Sequence, residues 1–201
     1  MGASKAKSFA TTLLFFLAIA SYTSPSSALR DLASGASTEF IRTSCSKTSY
    51  PQLCFSSLSS HAAAIQTSPQ ILASTALDVT LNDACSASAM MANLSRSQGL
   101  KPREAAAMQD CVEELSDAVD ELRRSIAEMK DTKGRDFERK ISDVQTWVSA
   151  ALTDQDTCSD GFAGKSMDGK VKTVVRARIV TLSHLTSNAL ALINAYASLH
   201  G

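Results

Sequence analysis

Five cysteines behind an N-terminal secretion segment constrain this chain more than any other feature. Cys45 and Cys54 lie close together, Cys111 and Cys158 lie far apart, and Cys85 stands between the two sets. A chain routed into an oxidising compartment can form disulfides. An odd count there gives two bridges and a free thiol, or an intermolecular bond. The pattern points to a stapled helical bundle outside the cell.

The first 28 residues, taken as residues 1–28, read as a signal peptide. Lys5 and Lys7 supply the positive start, and Phe9 to Ala20 an apolar run too short to span a bilayer comfortably. Ser26-Ser27-Ala28 places small residues where cleavage after Ala28 needs them. Without Lys5 and Lys7 the remaining chain, 29–201, carries 18 basic and 20 acidic residues. That balance speaks against nucleic-acid binding, which needs a clustered basic surface. No later run has the length of a transmembrane helix. Asn93-Leu94-Ser95 is a glycosylation sequon in a secreted chain, so Asn93 is a candidate acceptor.

Glycine and proline are scarce, at eight and four of 201 residues, and aromatics make up only 5%, so helices rather than strands are predicted. Four long helices can be placed. The first runs from about Pro69 to Ser97 with Leu72, Ala76, Val79 and Met90 inward; Ser68-Pro69 starts it and Gly99 stops it. In the second, from about Pro102 to Lys130, Cys111, Leu115, Ala118, Leu122, Ile126 and Met129 recur at steps of four and three and share one face. The third, from about Asp136 to Thr153, repeats the pattern with Phe137, Ile141, Val144, Val148 and Ala151. A polar link over 156–162 follows. The fourth, from about Met167 to Leu199, turns Val171, Val175, Leu182, Leu185, Ala189, Leu192 and Tyr196 inward.

Short links between long helices give an all-α, up-down-up-down four-helix bundle over 67–201. The preceding stretch, 29–66, is read as a hairpin-like extension of short helices broken at Tyr50-Pro51. In this topology the start of the second helix lies beside the end of the third, so a Cys111–Cys158 bridge needs little adjustment. Cys45 and Cys54 flank the Tyr50-Pro51 bend and could close a small loop. Such bridges would contribute roughly 4 and 2.5 kcal/mol on chain-entropy grounds, and other connectivities stay open. Cys85, between Ala84 and Ala87, reads as a small buried apolar residue.

Several segments together resemble the plant invertase/pectin methylesterase inhibitors. They are Phe40-Ile41-Arg42-Thr43-Ser44-Cys45, Tyr50-Pro51-Gln52-Leu53-Cys54, Gln109-Asp110-Cys111-Val112-Glu113-Glu114-Leu115, Asp117-Ala118-Val119-Asp120-Glu121-Leu122 and Asp156-Thr157-Cys158-Ser159-Asp160-Gly161-Phe162. The resemblance spans nearly all of 29–201. It implies a helical hairpin with its own disulfide, a four-helix bundle with a second one, and an unpaired fifth cysteine. It also implies inhibition of an extracellular carbohydrate-active enzyme, either pectin methylesterase or acid invertase. Invertase inhibitors carry a Pro-Lys-Phe motif before the third paired cysteine, where this chain has Lys101-Pro102-Arg103. That departure favours pectin methylesterase as the partner.

Glu113, Asp117, Asp120 and Arg124 form a charged stripe opposite the core face of the second helix. By itself such a stripe is an ordinary solvated surface. By the resemblance, Glu113, Asp117 and Asp120 contact the enzyme, joined by Thr157 and Asp160. The three histidines have no catalytic setting: His61 lies in a Ser/Ala-rich joint, His184 on the last helix and His200 beside the final residue. Trp147 reads as packing. No Gly-rich phosphate loop, Gly-x-Ser-x-Gly elbow, zinc spacing or cofactor motif is present. An enzyme is therefore not expected. A small-ligand carrier is a distant alternative, since bundles can house ligands. The chain ends directly after the last helix, so a free-standing module is expected rather than the pro-region of an enzyme.

Overall fold

The structure, a computed structural model, describes residues 26–132 and 134–200. The predicted signal peptide, 1–28, lies almost entirely outside these residues. Residues 36–201 form one compact unit, and 26–35, the first part of the first helix, fall outside it.

The described chain is helical throughout. Helix α1 spans Ser26–Cys45 and α2 spans Pro51–Leu58. A 3₁₀ turn, Ser59–His61, and the short α3, Ala62–Ile65, lead into four long helices: α4 Pro69–Ser95, α5 Pro102–Met129, α6 Phe137–Gly161 and α7 Lys170–Ala197. Consecutive long helices pack side by side, and α7 returns to α4, which closes an up-down-up-down bundle. The N-terminal hairpin is present, but its first arm is a single 20-residue helix rather than a run of short pieces. Only after the Tyr50-Pro51 bend is the chain broken into short elements.

Helix starts follow local chemistry. Ser68 caps α4 by accepting a hydrogen bond from the Ile71 N–H, with Pro69 in the first turn. At α5 the Glu104 carboxylate accepts from the Lys101 N–H at 2.9 Å, and Pro102 again occupies the first turn. Gly134, at φ 77°, turns the chain between α5 and α6 in a conformation that side chains resist.

The core is one continuous cluster. From α5 it takes Met108, Cys111, Leu115, Ala118, Leu122 and Met129; Ile126 is only partly buried. From α7 it takes Val175, Ile179, Leu182, Ala189, Ile193 and Tyr196, with Val171 partly buried. On α4 the fully buried row is Ala73, Leu77, Ala84, Ala87 and Met91, with Thr80 among them, while Val79 and Met90 sit at its edge. And α6 does not stop near Thr153: it continues to Gly161, so 156–161 is helix and not a link. The physical reason is that Gln155 and Cys158 extend the buried seam of Val148 and Ala151 at steps of three and four, and buried Phe162 anchors the end.

Both bridges are formed. Cys45–Cys54 closes the hairpin and Cys111–Cys158 joins α5 to α6, with Cα separations of 5.5 and 4.3 Å. Cys85 is unpaired and exposed, contrary to the buried reading. Ala84 and Ala87 occupy the seam, and Cys85, one step round from Ala84, turns outward. Arg178 ties α7 to α4 through the Asp83 carboxylate at 2.7 Å and its carbonyl at 2.8 Å.

Candidate functional site

The charged stripe of α5 is a real surface. Glu113, Asp117, Asp120 and Arg124 are all exposed, on the side of α5 away from its buried row. Asp120 is held by Arg123 at 2.8 Å, an exposed pair within one helix turn. Such pairs contribute little to stability, but this one leaves the ridge shorter of free negative charge than the sequence suggests.

The long α6 brings a second element to this ridge. Asp154 of α6 lies against Glu114, Asp117 and Glu121 of α5, close enough for their charges to perturb one another. Thr157 follows Asp154 by three residues and therefore lies on the adjoining surface of α6. It is exposed, and its hydroxyl donates to the Thr153 carbonyl at 2.9 Å. Asp160 is also exposed, but six residues past Asp154 it is turned roughly a third of a turn away. The structure thus brings Asp117 and Thr157 together about the α5–α6 groove. Glu113 and Asp120, seven residues apart, lie together on the crest of α5, and Asp160 lies toward the far side of α6. The Cys111–Cys158 bridge lies beneath the same stretch and fixes the two helices to each other.

Glu114, Glu121 and Asp154 were not singled out from the sequence. Glu121 Oε2 and Asp154 Oδ2 are shut off from solvent, with no donor from elsewhere among the described residues. A proton shared between the two carboxyls would satisfy both. Burial, then the charge of Asp154 and a hydrogen bond to it, push Glu121 up to about 7, with Asp117 adding to the effect and Arg124 opposing it. Burial likewise raises Asp154, against the hydrogen bonds from Glu121 and Glu114 that lower it. Glu114 is raised by burial first and by neighbouring carboxylates after that. Among the described residues no group of three or more His, Cys, Asp or Glu side chains is arranged to hold a metal ion. The signal that could have found the cluster was the seven-residue spacing of Glu114 and Glu121 around Asp117. It lacked its partner because α6 was ended one residue before Asp154.

The other candidates are placed as follows. Asn93 is exposed in the last turn of α4, where its side-chain oxygen accepts from Arg96. His184 stacks on Tyr50, with ring centroids 3.5 Å apart. His61 is exposed, and Trp147 is half-buried beside the α6 seam.

Comparison with known proteins gives these elements a family setting. The model of the family described as plant invertase/pectin methylesterase inhibitor matches residues 39–192. A protein called 21 kDa protein from Daucus carota is 53% identical over 81% of this chain and 86% of its own length. Pectinesterase inhibitor 11 of Arabidopsis thaliana is 52% identical over 94% of this chain and 96% of its own. Among solved structures, a mutant form of a pectin methylesterase inhibitor from Arabidopsis superposes with a TM-score of 0.60 at 25% identity, covering 75% of this chain and 92% of that one.

Proposed function

The chain belongs to the plant invertase/pectin methylesterase inhibitor family, and we propose that within it the protein is a secreted inhibitor of plant pectin methylesterase. It is an inhibitor rather than an enzyme. The proposed action is steric: α5 enters the cleft that holds the pectin chain, in a reversible one-to-one complex, and so restrains de-esterification in the cell wall.

The observation that carries this reading is the exposed acidic ridge of Glu113, Asp117 and Asp120, with Thr157 on the neighbouring helix, on helices that a disulfide locks together. A cleft built for galacturonate chains must offer groups that accept carboxylates, and protein carboxylates can occupy them. Charge-assisted hydrogen bonds are stronger than neutral ones, and opposite fields speed encounter. Asp160 contributes from the margin of this surface. Cross-linking of α5 to α6 keeps the ridge in its binding geometry before contact, which lowers the ordering cost of association. Lys101-Pro102-Arg103 in place of Pro-Lys-Phe supports the methylesterase over acid invertase. Secretion rests on residues 1–28, and a glycan at Asn93 would sit at the end of α4.

The test is inhibition of purified plant pectin methylesterase and of acid invertase, side by side, by the secreted protein. Inhibition of the methylesterase is expected; inhibition of invertase alone overturns the reading and leaves the fold untouched.

A further inference from the structure

Away from the acidic ridge, at the end of the bundle where α4 begins and α7 finishes, the turn between α5 and α6 borders a surface cavity of about 450 Å³. That size falls within the range of small-ligand sites. One wall is a set of three rings. His200 lies over Phe137, centroids 4.4 Å apart, and Tyr196 stands edge-on to both at 5.5 and 5.0 Å. Phe137 and Tyr196 are buried and back the wall, and the ring it presents to a ligand is that of exposed His200.

The polar groups around this wall differ in kind. Arg135 lines the cavity and makes no ion pair among the described residues. Glu138 also lines it, and among the described residues forms no ion pair with Arg135. Gln70 spends its amide N–H groups on long bonds to the Met129 carbonyl, 3.5 Å, and the Thr132 hydroxyl, 3.4 Å, leaving its carbonyl oxygen as an acceptor.

We propose that this cavity binds an acidic sugar, a uronide, with its carboxylate on Arg135, a ring face against the aromatic wall and hydroxyls donated to Glu138 and Gln70. Arginine's planar fork matches a carboxylate in two parallel bonds. Glu138 would repel a ligand that is only an anion, but a sugar ring brings hydroxyl donors alongside its acid group. An aromatic carboxylate engages Arg135 and the wall but makes no use of Glu138, which is exposed. A hydroxylated ring acid engages all three. The site is independent of the inhibitor reading, because it shares no residue with the α5–α6 ridge.

The experiment is calorimetric titration of the full chain with trigalacturonic acid, its methyl ester and benzoate. Saturable binding of the acid is expected, with the methyl ester and the Arg135→Gln variant each weaker by about tenfold or more, the effect of losing a charged hydrogen bond. Glu138→Ala should weaken the sugar without strengthening a neutral glucan trimer. The ridge variant Asp117→Lys should bind trigalacturonate as the wild type does. No saturable binding at millimolar ligand, equal affinity for acid and ester, undiminished binding by Arg135→Gln, or benzoate bound as tightly as the sugar would each overturn the proposal. Arg135 is exposed, so Arg135→Gln is expected to fold; the sugar's effect on the ring protons of His200 and Phe137 gives a second readout on the wild type.

Discussion

Asn188 grips Tyr50 by the backbone: its side-chain oxygen accepts from the Tyr50 N–H at 3.1 Å, and its amide nitrogen donates to the Tyr50 carbonyl at 3.0 Å. The two residues lie 138 apart in sequence. Asn188 is buried on α7, and one turn earlier His184 stacks under the Tyr50 ring. The bend between the two arms of the hairpin is thus clamped to the last helix of the bundle at its backbone and at its side chain.

Asn188→Ala removes both backbone bonds and leaves the Tyr50 N–H without its acceptor. A loss of about 2 kcal/mol is expected, measured by urea unfolding, with faster proteolysis between Cys45 and Pro51. Asn188→Asp keeps the acceptor but sets a carboxylate against the Tyr50 carbonyl, and should be no more stable than Asn188→Ala at neutral pH.

The carboxyl pair of Glu121 and Asp154 makes stability depend on pH. A carboxyl raised on folding opposes the fold when ionised. That cost is complete above about 7 and disappears as pH falls toward the ordinary value of 4.5, so the fold gains stability on acidification through this window. Glu121→Gln removes the charge and keeps a donor for Asp154. It should raise neutral-pH stability by about 1 kcal/mol, discounted for partial solvent exposure, and flatten the dependence of Tm on pH between these limits. An unchanged pH slope in this variant would show that the pair is not the source.

Thiol chemistry separates the five cysteines. In the native oxidised protein Cys85 should react with a maleimide in one-to-one stoichiometry, while Cys45, Cys54, Cys111 and Cys158 react only after reduction and unfolding. Mass mapping checks the assignment, and a protected Cys85 would contradict its outward placement. Replacing Cys111 and Cys158 together by serine should cost about 3–4 kcal/mol, more than the roughly 2.5 kcal/mol for Cys45 and Cys54, because the longer loop constrains the unfolded chain more.

Much of this fold was legible in the residues, and the exceptions have physical causes. The seams of α5 and α6 are regular enough for periodicity to place Cys111, Leu115, Ile141 and Val148 inward, and Ser68-Pro69 and Pro102 mark helix starts at the right positions. On α4 the helix is rich in small residues, so its apolar pattern fits more than one rotation, and periodicity alone favours Met90 over Met91 and turns Cys85 inward. The end of α6 is hidden in the sequence because Asp156, Thr157 and Asp160 are polar, whereas the buried side of that turn is carried by Gln155 and Cys158. Losing that turn hid Asp154, and with it the Glu121 pair. The acidic ridge was visible as a stripe, but its neighbours across the groove depend on how α5 and α6 pack, which periodicity does not specify.

The most direct test of the account is charge reversal on the ridge. Inhibition of purified pectin methylesterase should be compared between the wild type and the variant carrying Asp117→Lys and Asp120→Lys, with unfolding curves to establish that both are folded. A tenfold or larger weakening, about 1.4 kcal/mol or more in binding, is predicted. Equal inhibition by the two folded proteins would contradict the assignment of α5 as the element that occupies the enzyme's cleft.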